Sequence, residues 1–314
     1  AGLALALALQ QRGMSAAVYE RDAHFLARRP GYGLTIQQGG TALKALGIAD
    51  AVTAAGSKSR RHLSYASTGS LIGAHGQATR DGAATAPPGR RRSNVHLPRQ
   101  TLRELLLSRL RPDTVRWGRA LTAVREGSEH VELSFEGVDA PAKARVVVGA
   151  DGIRSAVRAA AGDDEGAPPL EPLEVMVILG FARSTHPLCA DADTVFEVVD
   201  GSSRLYCQPF DATEGTTMWQ FSFPIATADA AALGARGGEA MRDETLRRCA
   251  GWIAPVEELL SATSADDVTG YPVFETQLSN ESPLLGGRAA LIGDALHAMA
   301  PFKAQGANQA LLDA

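Results

Sequence analysis

One stretch of sequence constrains the fold more than any other: residues 144–158, which read A-R-V-V-V-G-A-D-G-I-R-S-A-V-R. The β-branched residues at its centre are typical of a buried strand. The Asp-Gly pair at 151–152 predicts a sharp turn, and the residues after this turn predict a helix. A strand that passes through so tight a turn into a helix indicates an α/β fold.

A second strand, turn and helix are predicted in residues 288–314. The strand ends at Asp294, a loop containing Pro and Gly follows, and a new helix opens at Gly306. The first amides of a helix have no partner within the helix and carry a partial positive charge. Such a helix start therefore stabilises an anion, and Asp294 at the strand end can accept hydrogen bonds from polyol hydroxyls.

The first twenty residues resemble the second half of a dinucleotide-binding unit. Residues 1–12 are rich in Ala and Leu, the strongest helix formers, and Gly13 suits a helix C-cap. A short predicted strand then ends in Glu20, and an acid about 20 residues beyond the glycines binds ribose hydroxyls in such units. Gly2 would be the last glycine of G-x-G-x-x-G, with the first strand and two glycines absent. By itself, this pattern fits an ordinary helix–strand pair with a surface acid equally well.

Composition narrows the class of protein. The chain has 314 residues, 45% of them hydrophobic, which suits one large or two medium domains. A net charge of -4 gives no electrostatic footprint for nucleic acid. The three cysteines lie far apart, which excludes a disulfide framework and a zinc motif and favours a reducing cytoplasm. No apolar run is long enough to span a membrane.

Two motifs carry a resemblance to a known family. They are D-G-x-R-S-x-V-R from residue 151 and G-D-A-x-H-x-x-x-P-x-x-x-Q-G-A-N-Q from residue 293. Together they resemble the group A FAD-dependent monooxygenases of the para-hydroxybenzoate hydroxylase type, over nearly the whole chain and in the same order. The resemblance implies an α/β (α+β) fold, in which a Rossmann-like FAD-binding domain is interleaved with an antiparallel β-sheet substrate domain. It also implies that the chain is truncated at the N-terminus and at the C-terminus.

The resemblance implies a set of cofactor-binding residues, each carried over by its position in a motif: Gly2, Glu20, Arg21, Arg99, Asp151, Gly152, Gly293, Asp294, Pro301, Gly306, Ala307 and Asn308. The first three would lie at the pyrophosphate and adenosine, and Arg99 near the flavin. The pair at 151–152 would lie near FAD and the path of NAD(P)H, and the pair at 293–294 at the ribityl phosphate. Pro301 would lie beside the isoalloxazine, whose carbonyl edge would accept hydrogen bonds from the amides of residues 306–308.

Several other polar residues attract attention without a chemical role. His297 is expected to position its loop rather than to act as a base, and His96 is expected to be exposed. Arg103 is expected to be a charge on a helix face, whereas Gln37 is a candidate for reaching the flavin ring. Ala304 stands where the family's loop often has glycine, which would stiffen the loop.

The domain division follows the strand pattern. Residues 1–60, 95–165 and 272–314 are predicted to form the FAD-binding domain, and residues 61–94 and 166–271 the substrate domain. Strand-like segments within 173–223 predict an antiparallel sheet, whose inward face would shape the substrate pocket. Its apolar and aromatic residues are pocket candidates, with ordinary core as the alternative for each: Met176, Phe196, Tyr206, Trp219 and Phe221.

The reaction is implied by the resemblance. NAD(P)H would reduce FAD, O2 would give a C4a-hydroperoxyflavin, and one oxygen atom would reach a small aromatic or polyketide-like substrate. The flavin would carry the chemistry, so no catalytic side chain and no metal is predicted. Two alternatives stay open at this point: a dehydrogenase or halogenase on the same scaffold, and a non-catalytic FAD-binding module.

Overall fold

The structure is a computed structural model. It describes residues 1–27, 31–76, 94–161, 170–211, 214–277 and 287–314. Its helices are α1 (Gly2–Gln11), α2 (Gly40–Ala45), α3 (Ala49–Ala55), α4 (Arg99–Leu107), α5 (Ala156–Ala161), α6 (Pro187–Ala190), α7 (Thr227–Ala235), α8 (Gly238–Arg248), α9 (Val256–Ser261), α10 (Asp294–His297) and α11 (Gly306–Asp313).

The strands occur singly or in runs between these helices. They are β1 (Val18–Tyr19), β2 (Gly33–Ile36), β3 (Ser57–Ser59), β4 (Arg61–Ala66), β5 (Leu71–Gly76), β6 (Asn94–Pro98), β7 (Val115–Arg116), β8 (Leu121–Glu126), β9 (Val131–Phe135), β10 (Val138–Ala144), β11 (Val147–Gly149), β12 (Leu170–Arg183), β13 (Thr194–Val199), β14 (Arg204–Asp211), β15 (Thr216–Pro224), β16 (Thr269–Thr276) and β17 (Ala289–Leu291). The predicted mixed α/β fold is confirmed.

The largest sheet has seven strands in the order β16-β12-β15-β14-β13-β4-β5. Neighbouring strands are antiparallel, except β13 and β4, which are parallel. The sequence predicted the antiparallel strands within 173–223 and gave no sign of the parallel pair. One face of this sheet packs against α7, α8 and α9 and forms the largest apolar core. Each large side chain buried there contributes about 1.5–3 kcal/mol of transfer free energy.

The motif-bearing elements form smaller sheets. β11 and β17 are parallel neighbours, as are β1 and β7, while β2, β6 and β3 form a three-stranded antiparallel sheet. A Cβ on Gly149 would lie 2.7 Å from Leu291 Cδ2 and 2.8 Å from Val157 Cβ, so only glycine lets α5 and β17 approach β11 this closely. Because the carboxyl ends of parallel strands meet at one edge, the turns after β11 and β17 lie side by side.

Candidate cofactor and substrate cleft

Two strand ends and two helices meet at the edge of the β11–β17 pair. The turn after β17 passes through Gly293, whose φ of +61° is in the left-handed region that favours glycine. A Cβ on Gly293 would lie 3.3 Å from Ala1 Cβ and 3.2 Å from Ala310 Cβ. A Cβ on Gly2 would lie 3.4 Å from Ala150 Cβ, just beyond β11. The start of α1 and the body of α11 therefore pack directly on the two strand ends.

The first turn of α11 lies beside the acidic turn after β17. A Cβ on Gly306 would lie 3.6 Å from Asp294 Oδ1, so the carboxylate is next to the helix start. Neither Ala1 nor Gln305, which precede α1 and α11, caps its helix with a side chain. The first amides of both helices can therefore stabilise an anionic ligand.

Asn308 clamps α11 to the loop after β2. Its Oδ1 accepts hydrogen bonds from the backbone N–H groups of Gln37 at 2.8 Å and Gly39 at 3.1 Å. Its Nδ2 donates to the carbonyl oxygens of Thr35 at 2.9 Å and Ala304 at 2.7 Å. The side chain is 0% exposed, and its hydrogen-bonding capacity is fully used. The sequence predicted only a backbone role here, so the side-chain clamp is a new observation.

His297 helps to hold the turn after β17. Asp313 Oδ2 accepts hydrogen bonds from the backbone N–H of Gly293 at 2.7 Å and from His297 Nε2 at 2.8 Å. The carboxylate therefore joins the turn after β17, α10 and the end of α11. This arrangement agrees with the loop-positioning role expected for His297.

Asp151 and Arg158 fix the turn after β11. Asp151 Oδ2 accepts a hydrogen bond from the amide of Ala156 at 2.7 Å and so caps the start of α5. Arg158 is 7% exposed and donates to the carbonyl oxygens of Ile153 at 2.6 Å and Ala295 at 2.9 Å. Burial lowers the pKa of its guanidinium. Arg158 ties the two strand-end turns together, a role that the sequence did not indicate.

These elements open into one cleft of about 2420 Å³. The cofactor-binding candidates that line it are Gly2, Glu20, Arg21, Arg99, Asp151, Gly152, Gly293, Asp294, Pro301, Gly306 and Ala307. Asn308 lies behind the surface of the cleft. We call residues 151–152, 293–294 and 306–307 the turn wall.

Residues of the seven-stranded sheet also line the cleft. We call its cleft-lining residues in β14 and β15 the sheet wall: Arg204, Tyr206, Gln208, Met218 and Gln220. Successive residues of a strand point to opposite faces, and Tyr206 is paired with Gln220 while Cys207 is paired with Trp219. Tyr206 and Gln220 therefore belong to the cleft, and Trp219 belongs to the other face.

Four of the five pocket candidates lie on that other face. The structure places them in the core against α7–α9, with exposures of 0–1%: Met176, Phe196, Trp219 and Phe221. Trp219 Nε1 donates a hydrogen bond to Thr263 Oγ1 at 2.9 Å within this core. The alternative reading of these four residues as ordinary core agrees with their positions, and only Tyr206 reaches the cleft.

Two polar residues differ from the sequence expectations. His96 was expected to be exposed, but its side chain is 0% exposed because β6 is the central strand between β2 and β3. Arg103 lies on the face of α4, as expected, but it is mostly buried: Nη1 donates to Gln100 Oε1 at 2.8 Å, and Nη2 lies 3.9 Å from Asp22 Oδ2. Gln37 lines the cleft, in line with its candidacy.

Comparison with known protein families identifies the family to which the chain belongs. The family model described as an FAD binding domain matches residues 1–314. The chain belongs to this FAD-binding-domain family. The predicted resemblance to the FAD-dependent monooxygenases is confirmed, and with it the identification of the chain as a flavin-dependent oxidoreductase.

Curated relatives of the family match the whole chain. The aurachin C monooxygenase/isomerase of Stigmatella aurantiaca is 28% identical over 336 residues, which cover 100% of this chain and 76% of that protein. The phenazine 1,6-dicarboxylic acid hydroxylase PhzS of Lysobacter antibioticus is 30% identical over 342 residues, with coverage of 100% and 78%. The 3-amino-4-hydroxybenzoate 2-monooxygenase of Streptomyces cremeus is 28% identical over 323 residues, with coverage of 100% and 74%.

A solved structure has the same fold. The crystal structure of Klebsiella pneumoniae HpxO with FAD and uric acid superposes with a TM-score of 0.81 at 23% sequence identity. The match covers 99% of this chain and 75% of that one.

The residues around the cleft fit FAD. Glu20 and Asp294 supply carboxylates for hydroxyl groups, and the uncapped starts of α1 and α11 supply amides for anionic groups. Arg99 Cζ lies 5.8 Å from the ring centroid of Tyr32, and within the described residues its side chain makes no hydrogen bond or ion pair. Its charge is therefore available to a ligand.

Two further findings concern the described residues. No group of three His, Cys, Asp or Glu side chains among them could hold a metal ion. None of their helices combines the length and the apolar character that a membrane span requires.

Proposed function

We propose that FAD lies along the cleft in one direction. Glu20 and Arg21 hold the adenosine, and the start of α1 at Gly2 faces the pyrophosphate. Asp294 binds the ribityl-phosphate part, and the first amides of α11 face the carbonyl edge of the flavin ring. The observation that carries this proposal is the convergence of two uncapped helix starts and two acidic strand ends on a single cleft.

The reaction that this arrangement supports best is hydroxylation of a small aromatic or polyketide-like substrate with NAD(P)H and O2. Bound FAD supplies the acceptor for hydride and the site of oxygen activation. Two of the relatives are named for action on 3-amino-4-hydroxybenzoate and on phenazine 1,6-dicarboxylic acid, and this supports an aromatic substrate here. The sheet wall, which lines the same cleft as the turn wall, is the surface against which such a ring would pack.

The protein's own contribution is binding, orientation and exclusion of water. α11 directs its partial positive charge toward the ring, and Asp294 orients the polyol chain. Met218 supplies apolar surface, while Tyr206 and Gln220 supply polar groups that orient the substrate. Burial raises the pKa of Tyr206 to about 12, so its hydroxyl stays neutral in the cleft.

The domain division is part of the same proposal. The FAD-binding domain consists of residues 1–60, 95–165 and 272–314, and the substrate domain of residues 61–94 and 166–271. This division is supported by strands β4, β5 and β12–β15 of the seven-stranded sheet, which lie within residues 61–94 and 166–271, whereas β16 crosses the boundary at residue 271. The proposal also includes a binding position for NAD(P)H in the same cleft, near Asp151 and Gly152.

The experiment measures flavin content and turnover of the chain prepared with FAD. We expect a flavin absorption spectrum that survives desalting, and NADPH oxidation that an aromatic compound stimulates with formation of a hydroxylated product. Asp294→Ala should lower FAD affinity about tenfold, as expected for one lost hydrogen-bonding carboxylate. Asp139→Ala, a change on the exposed strand β10, is the matched control and should leave affinity unchanged.

Other outcomes would identify the alternatives. Halide-dependent product formation would indicate a halogenase, and NADPH oxidation without oxygen incorporation a dehydrogenase. Stable FAD binding without any oxidation of NADPH or NADH would indicate a non-catalytic module and contradict the proposed reaction.

A further inference from the structure

Three glutamine side chains form a hydrogen-bonded cluster beside the start of α11. Gln305, the residue before α11, donates from Nε2 to Gln37 Oε1 at 2.9 Å and to the carbonyl oxygen of Lys303 at 3.2 Å. Its Oε1 accepts a hydrogen bond from Gln38 Nε2. The backbone N–H of Gln37 also donates to Asn308 Oδ1 at 2.8 Å. Both the backbone and the side chain of Gln37 are therefore held against the segment that opens α11.

A backbone group determines the orientation of the amides in this cluster. The carbonyl oxygen of Lys303 has no hydrogen, so the end of the Gln305 amide that faces it is the NH2 group. The same NH2 group faces Gln37, so the facing atom of Gln37 is its oxygen. Turning either amide by 180° would bring two oxygens or two NH2 groups together. The end of the Gln37 amide that points away from Gln305 is therefore the NH2 group.

This NH2 group of Gln37 has unused hydrogen-bonding capacity. Among the residues that the structure describes, none accepts a hydrogen bond from its Nε2. Gln37 is exposed and lines the cleft. Because an NH2 group only donates, it suits an oxygen atom of a ligand in the cleft.

We propose that Gln37 donates a hydrogen bond from Nε2 to a carbonyl oxygen of the flavin ring and so raises the reduction potential of bound FAD. The inference rests on the proposed function, which places the carbonyl edge of the ring at the first amides of α11. Gln37 thus adds a side-chain donor to the backbone donors of Gly306 and Ala307. Gln305 is a positioning residue, since it acts through Gln37.

The direction of the effect follows from the charge of the ring. Reduction adds negative charge to the carbonyl edge, and hydrogen bonds near the ring tune the electronic properties of the cofactor. A hydrogen bond to a charged acceptor is about twice as strong as one to a neutral acceptor. Loss of the Gln37 donor should therefore weaken binding of reduced FAD about tenfold more than binding of oxidised FAD. For a two-electron couple, this factor lowers the midpoint potential by about 30 mV.

The first test measures the midpoint potential of bound FAD in the wild type and in three variants. Gln37→Leu removes the donor and should lower the potential by about 30 mV. Gln305→Leu keeps the donor but removes the contact that orients it, so the potential should fall by less. Gln309→Leu is the same change on α11 at a residue that does not line the cleft, and it should leave the potential unchanged. An unchanged potential in Gln37→Leu would overturn the proposal.

A fourth variant separates the donor from the packing of the side chain. Gln37→Glu keeps the shape and the oxygen that accepts from Gln305, but it has no amide hydrogen and adds a negative charge. Its potential should therefore fall at least as far as that of Gln37→Leu. A wild-type potential in Gln37→Glu would mean that only the shape of the side chain matters, and it would overturn the proposal.

The second test does not require a variant that binds FAD. It follows the side-chain NH2 signals of the 15N-labelled wild type by NMR while FAD is added, and the signals of Gln37 are identified by their absence in Gln37→Glu. We expect FAD to shift one Gln37 hydrogen downfield and to slow its exchange with water. The NH2 signals of Gln309 should stay in place.

The outcomes of the second test distinguish this inference from the proposed function. Unchanged Gln37 signals in a protein that retains FAD would overturn the inference and leave the proposed function intact. A protein that retains no FAD would contradict the proposed function and the inference together.

Discussion

The turn wall and the sheet wall face the same cleft but are built from different parts of the chain. The turn wall depends mainly on the backbone, namely left-handed Gly293 and the uncapped start of α11, together with the Asp151 carboxylate that caps α5. The sheet wall uses side chains on alternate positions of β14 and β15. A backbone-built wall needs particular residues at fixed spacings, whereas a side-chain wall tolerates many sequences as long as the two faces differ.

The largest expected effect is a difference in stability between substitutions on the core face and on the cleft face of the seven-stranded sheet. Phe221→Ala should lower the free energy of unfolding by about 3–5 kcal/mol, because this fully buried ring packs against Phe223 and Trp252. Gln220→Ala changes the adjacent residue on the cleft face and should cost less than about 1 kcal/mol. Urea denaturation of both variants measures the difference. Equal losses would mean that the cleft face and the core face are not distinct.

The next effect tests how the turn wall is held. Asn308→Leu removes four hydrogen bonds and leaves buried backbone groups without partners. We therefore expect the free energy of unfolding to fall by about 3–4 kcal/mol, together with loss of FAD binding. Gln309→Leu, one residue along α11, should leave both nearly unchanged. Denaturation and bound-flavin content are the measurements. Retained FAD affinity in Asn308→Leu would show that the clamp does not organise the wall.

A pH effect of similar size tests the burial of His96 in β6. In the unfolded chain, His96 takes up its proton near pH 6.5, whereas in the folded protein its pKa is about 4 because it is buried. The unfolded state therefore binds more protons between these values, and stability falls as pH is lowered through this window, by about 3 kcal/mol in total. This contribution is fully present above pH 6.5.

Unfolding measured from pH 7 to pH 4 tests the prediction. His96→Gln should show a weaker loss of stability over this range than the wild type. Parallel pH profiles for His96→Gln and the wild type would contradict the assignment of a neutral buried His96.

The smallest effect concerns the loop before α11. Ala304 has φ of +51°, a conformation that costs a residue with a Cβ about 1 kcal/mol. Ala304→Gly should therefore raise stability by about 0.5–1 kcal/mol. Ala300→Gly, at a residue with φ of -56°, should lower stability by a similar amount. A thermal shift of the same sign in both variants would contradict the backbone argument.

The sequence predicted much of the turn wall because its physics is local. A β-branched run, an Asp-Gly turn and a Gly at a strand end each require a particular residue at a particular place, so 151–152 and 293–294 could be found without coordinates. The clamp by Asn308 and the tie by Arg158 could not be found, because they depend on loops far away in sequence.

The sheet wall was not predictable to the same extent. The strands of residues 173–223 are rich in large apolar residues at positions on both faces, so aromatic character alone did not distinguish pocket from core. The register that pairs Tyr206 with Gln220 and Cys207 with Trp219 decides the question, and it depends on long-range pairing. Alternation along β14 did contain one usable signal: Tyr206 and Gln208 flank the buried Cys207 and must share the opposite face.

The central claim is that the start of α11 receives the flavin ring while the sheet wall faces it. A crystal structure of the chain with FAD tests this directly. We predict that a ring carbonyl oxygen lies within about 3 Å of the amide nitrogen of Gly306 or Ala307, with the adenosine at Glu20. An isoalloxazine ring bound away from α11, or an adenosine at the sheet wall, would contradict it.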